Sequence, residues 1–117
     1  MDVKSAVSEV LKAAGHEVTD FGTNSTESVD YADYANEVAA GVGEGSFDFG
    51  VLVCKSGIGM SIAANRVKGV RAAKVNDLAE AAVTRQHNDA NVLCLGAMAV
   101  SPEDAGTIAT DFVSTEF

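Results

Sequence analysis

The sequence predicts an α/β domain of three layers, a parallel sheet with helices on both faces, and three observations lead there. Apolar, strand-like runs alternate with helix-like segments along all 117 residues, the order that builds parallel sheets from crossover units. The stretch FGVLVCKSGIGMSIAAN, residues 49–65, joins an apolar run to a glycine-rich turn and then to helical composition. Hydrophobic residues make up 47% of the chain against 21% charged, which is the balance of a folded domain. The length suits a single domain over 1–117.

Residues 2–14 place Val3, Ala6, Val7, Val10, Leu11 and Ala14 at helical spacing, and Gly15 suits the stop. Residues 16–21, HEVTDF, read as a short strand with His16 as a surface residue at its entry, and 22–25 as the loop after it. Asp30 opens a second helix ending at about Gly41 or Gly45, with Tyr31, Tyr34, Ala35, Val38 and Ala39 along one side. Residues 48–53 form a strand with the pattern of burial on both faces, and Met60 to Val67 a helix. Val70 to Val75 is a strand, and 77–86 a helix with Asp77 as its N-cap. Asn91 to Leu95 is a buried strand closed by Gly96. Ser101-Pro102-Glu103 puts serine at the N-cap and proline at the first helical position, and that helix runs to about Phe112. Four parallel strands result.

Charge narrows the partners. Seventeen acids against eight bases give a net charge of −9, the opposite of the basic face that nucleic acid requires. No apolar run approaches the ~20 residues that span a bilayer, and Met1 is followed by Asp2 and Lys4 rather than an apolar leader core. Cys54 and Cys94 form no CxxC or zinc spacing. The expectation is a cytoplasmic protein with free thiols, no zinc site and no membrane partner.

Chemistry concentrates where open α/β sheets bind ligands, at the carboxyl ends of strands. Cys54 ends the 48–53 strand, and the glycine turn after it aims backbone N–H groups of a helix N-terminus into the crevice, where an anion can bind. A thiol beside that positive end is in the setting of a reactive cysteine. The bland account is that a strand-end cysteine packs and that GxG is common. A Walker loop is excluded, because the glycines and Lys55-Ser56 stand in the wrong order. A tyrosine-phosphatase-like loop is excluded, because Met60 occupies the arginine position. Arg71 and Asn76-Asp77 belong to a second loop region, with Arg71 read as solvated. RQHNDAN, residues 85–91, ends a helix before a strand, on the opposite edge of the sheet. His87 there reads as structural within one subunit, a helix C-cap. It reaches a Cys54 site only across a subunit interface.

The run from Val51 to Val100 resembles the type B ribose-5-phosphate isomerases and the related galactose-6-phosphate isomerase subunits, above all in GIGMSIAAN and RQHNDANVL. Asp30-Tyr31-Ala32-Asp33-Tyr34-Ala35 resembles that family's Asp-Tyr-Pro-x-Tyr-Ala segment, with Ala32 at the proline. The match extends from about Val3 to Phe117 and is dense from Gly50 to Gly96. The resemblance implies a Rossmann-like domain and aldose–ketose isomerisation of a sugar phosphate, ribose 5-phosphate to ribulose 5-phosphate, with no cofactor. It implies Cys54 as the base between C1 and C2, Ser56 and His87 as the ring-opening groups, and His87 contributed near a neighbouring subunit's site. The amides of Gly57, Ile58, Gly59, Met60 and Ser61 match the anion hole for the enediolate, and Tyr31 and Asn88 match substrate contacts. A homodimer or homotetramer with shared sites is implied by the same resemblance. Such chemistry needs a modest base, oxyanion donors and a ring-opening group.

The departures are also specific. Lys55 replaces a glycine. The family's opening strand, central in a sheet of five and ending in Asp-His-Ala-Gly, and its closing basic segment Gly-Gly-Arg-His-x-Arg-Arg have no counterpart here. Loss of the opening strand would leave a gap between the strands at 16–21 and 48–53. A shortened piece of a longer isomerase and a catalytically impaired, sugar-phosphate-binding or structural relative both fit these departures.

Overall fold

The computed structural model describes residues 2–19 and 31–117, with the side chains of 31–35 outside that description. Its elements run α1 (Val3–Ala13), α2 (Tyr31–Gly43), β1 (Gly50–Cys54), α3 (Ile58–Ala64), β2 (Ala72–Lys74), α4 (Leu78–Asn88), β3 (Val92–Gly96) and α5 (Pro102–Ser114). Three helices begin where a side chain can take an orphan amide. Asp2 accepts from the Ser5 N–H at 2.7 Å, Asp77 from Glu80 at 2.8 Å and Ser101 from Asp104 at 3.1 Å. Pro102 follows Ser101 at the helix start, where its missing N–H costs nothing.

The strands are parallel, in the order β1-β3-β2. All five residues of β3 are buried, because it has a strand on each side and helices on each face. Leu93 and Leu95 join Val3, Val7 and Leu11 of α1 with Ala105, Ile108, Ala109 and Phe112 of α5. Val92 and Cys94 point the other way, with Leu52 of β1, against Ala39 and Val42 of α2 and Met60 and Ala64 of α3. The period-2 alternation of β3 thus divides the core into the two outer layers.

Three expectations are corrected. Residues 16–19 form no strand, while 20–21 lie outside the described residues, so the described sheet has three strands rather than four. The alternation there is real, since His16, Glu17 and Thr19 are exposed while Val18 packs on the α1–α5 core. What the segment lacks is a neighbouring ladder, and alternation without hydrogen-bonded partners makes no sheet. β1 is not buried on both faces: Val51 and Val53 are half-buried, as suits a strand at the end of the order. Finally, α3 occupies Ile58–Ala64 rather than 60–67. It stops where the Asn65 side chain turns to β2, donating to the Ala72 carbonyl at 2.9 Å and accepting its N–H at 2.8 Å.

Candidate active site

β1 delivers Cys54 to the carboxyl edge of the sheet, and two glycines shape the loop around it. Gly57 has φ +82°, a left-handed conformation that side chains resist, and its N–H turns back to donate to Cys54 Sγ at 2.8 Å. Gly96 ends β3 as the register partner of Cys54. A Cβ on Gly96 would stand 2.5 Å from the Ser56 carbonyl oxygen, so the loop can lie there only against a glycine. The Ala97 N–H donates to the Cys54 carbonyl at 2.7 Å and the Met98 N–H to that of Lys55 at 3.0 Å. The loops after β1 and β3 are therefore laced together, and Cys54 is held half-buried at their seam.

The amides expected to receive an oxyanion divide into two groups. Gly57 is engaged by the sulfur, Ile58 donates to Ser56 Oγ at 3.3 Å, and Ser61 donates to the Gly57 carbonyl at 3.2 Å. The N–H groups of Gly59 and Met60, in the first turn of α3, have no acceptor among the described residues, as helix starts leave their first amides open. Met60 gives only its backbone, because its side chain is buried in the α2–α3 core. Ile58 is exposed, and the Ser61 hydroxyl donates to the Ile58 carbonyl at 2.7 Å. Ser56 is exposed beside Cys54. Together these groups bring a sulfur, a hydroxyl and two amides without an acceptor among the described residues into one loop.

The second thiol differs. Cys94 is fully buried in β3, and burial first, then the nearby Cys54, pushes it up to about 12. It packs like a small hydrophobe.

His87 and Asn88 are exposed in the last turn of α4, which the sequence reading ended at 86. That turn leads into the first residue of β3, whereas Cys54 stands beside its last. At ~3.3 Å per residue the two ends of a five-residue strand are about 13 Å apart, so one chain does not bring His87 to Cys54. Tyr31 opens α2, and its side chain lies outside the described residues. Sequence reasoning gave no role to Asp89, which adopts φ +49° and bonds to both Arg71 and Arg85. The available signal was the four-residue spacing of Arg85 and Asp89. No group of three or more His, Cys, Asp or Glu is placed to hold a metal among the described residues, and no helix there is long and apolar enough to cross a membrane.

Comparison with known proteins decides the lineage. The model of the ribose/galactose isomerase family matches residues 1–117. The chain belongs to the ribose/galactose isomerase family. Membership makes it an isomerase. Ribose-5-phosphate isomerase B of Escherichia coli (strain K12) is 42% identical over 107 residues, 92% of this chain and 72% of that protein. The solved ribose-5-phosphate isomerase B of Clostridium thermocellum superposes with a TM-score of 0.94 at 43% identity, covering 98% of this chain and 78% of that one. The Mycoplasma genitalium ribose-5-phosphate isomerase B, solved with bound ribulose 5-phosphate, superposes at 0.93 with 42% identity, covering 98% and 77%. The isomerase fold of three layers around a parallel sheet agrees with what the sequence predicted.

Proposed function

We propose that the chain interconverts ribose 5-phosphate and ribulose 5-phosphate through an enediolate, with Cys54 as the base. The observation that carries this is the Cys54 sulfur at the carboxyl end of β1, accepting the Gly57 N–H at 2.8 Å beside the open amides of Gly59 and Met60. In the forward direction the Cys54 thiolate removes the proton from C2 of the open-chain aldose. The electron pair forms the C1–C2 double bond, and the carbonyl oxygen on C1 becomes the oxyanion that the two amides receive. The hydroxyl proton on O2 moves to O1 and the thiol returns its proton to C1, so no redox partner is consumed. Ser56 and His87 serve ring opening, and Tyr31 and Asn88 contact the sugar. Because His87 stands at the far end of β3, it is supplied by a second copy, which makes the working form at least a homodimer.

The test is turnover by the purified full chain. Ribulose 5-phosphate should appear from ribose 5-phosphate faster than any keto-sugar appears from galactose 6-phosphate. Preference for the hexose phosphate would overturn the substrate, and turnover of neither would overturn the reading.

A further inference from the structure

We propose that Asp89 is a positioning residue for His87 and Asn88, a role that rests on those two side chains working on the sugar. Among the described residues, Asp89 is the only non-glycine with a positive φ, +49°, and it caps the end of α4. A left-handed backbone is resisted by a residue with a Cβ, so something must hold it. Two guanidinium groups do so from different elements. Arg85, one turn earlier in α4, donates Nη1 to Asp89 Oδ1 at 2.9 Å. Arg71, just before β2, donates Nε to the Asp89 carbonyl at 2.7 Å and places Nη2 3.3 Å from Oδ2. Asn91 completes the frame, accepting the Arg71 N–H at 2.8 Å and donating to the Gly69 carbonyl at 2.9 Å.

The two arginines are not equivalent. Arg85 is buried and also holds the Thr115 carbonyl at 2.9 Å and the Ala90 carbonyl at 2.7 Å, with its guanidinium 4.9 Å from the Phe49 ring centroid. Those contacts hold α5 and the core whether or not Asp89 is present. The Asp89 carboxylate adds something narrower: beside the Arg71 bond to the Asp89 carbonyl, it gives the last turn of α4 a second tie to the segment that enters β2. His87 and Asn88 are the two residues of that turn just before the cap. Both are exposed, so the direction they present to a neighbouring copy is set largely by the backbone beneath them.

The test uses Asp89→Gly and Asp89→Asn in the full chain, with His87→Ala as reference. If backbone freedom were all that mattered, glycine would be at least as good as asparagine at φ +49°. A positioning carboxylate reverses that order: Asp89→Asn keeps an acceptor for the arginines and retains more activity than Asp89→Gly, whose kcat falls about tenfold or more. In the double variant Asp89→Gly/His87→Ala the losses should not add, because Asp89 acts through His87. Additive losses, or Asp89→Gly as active as Asp89→Asn, would overturn the proposal. An arm independent of turnover follows backbone amide relaxation at residues 86–90. Asp89→Gly should raise fast motion at His87 and Asn88 while the rest of α4 stays rigid, and unchanged relaxation would overturn the proposal even if the chain turns over no sugar. A wild-type chain without isomerase activity would instead overturn the functional reading, leaving the relaxation arm to judge Asp89.

Discussion

Cys54 and Cys94 both face the α2–α3 side of the sheet, yet their surroundings assign them opposite behaviour. Cys54 is half-buried at a loop seam with an N–H on its sulfur; Cys94 is sealed in β3. Iodoacetamide near neutral pH should therefore label Cys54 first, and sugar phosphate should slow that labelling; equal labelling of both thiols would contradict the assignment. Cys94 also predicts an alkaline weakness. Its value rises from an ordinary 9.0 to about 12 in the fold, so the folded state keeps a proton that the unfolded chain gives up. Stability from this group is complete below about pH 9 and falls by up to about 1.4 kcal/mol per pH unit above it. Denaturant midpoints of wild type and Cys94→Ala across that range should converge as pH rises, after a cost of about 1 kcal/mol at neutral pH; parallel curves would contradict it. At this scale the sequence was informative. Cys94 inside an apolar run reads as buried, and Cys54 before a glycine turn reads as accessible. The division of the loop amides was not legible, because it depends on which donors the sulfur and Ser56 already occupy.

The unit that makes the site is β1, its loop and α3, locked against the end of β3. Gly96 is the critical contact, since a methyl there meets the Ser56 carbonyl. Gly96→Ala should displace the loop, lower isomerisation by one or two orders of magnitude and cost about 1–3 kcal/mol of stability. An unchanged rate with an unchanged melting temperature would show that the loop does not rest on that glycine. Element order and most caps were readable from residue chemistry: Asp77 and Ser101 cap as their side chains predict. Over 16–19 the strand expectation fails because alternation reports which side chains turn inward, while a strand exists only if backbone partners lie alongside. The end of α3 was missed because Asn65 leaves the helix to bond Ala72, a long-range contact with no local signature.

Across the whole molecule, the parallel register sets Cys54 and His87 at opposite ends of the sheet, so the proposed site needs two copies. Ile58 and Ile62, one turn apart on α3, are 53% and 57% exposed beside the Cys54 loop, and Met98, whose amide bonds the Lys55 carbonyl, is 72% exposed. In the proposed dimer this apolar border of the loop is a surface for the second copy to cover. The central claim is that Cys54 of one copy and His87 of another act on one sugar, and subunit mixing tests it most directly. Cys54→Ala and His87→Ala chains should each fold and each lose ribose 5-phosphate isomerisation by about 10²–10⁴-fold. Mixed under conditions that exchange subunits, they should recover about a quarter of wild-type activity, because in a two-fold dimer half of the pairs are mixed and each mixed pair holds one intact site. Activity that stays absent after exchange, or full turnover by the Cys54→Ala chain alone, would contradict the account.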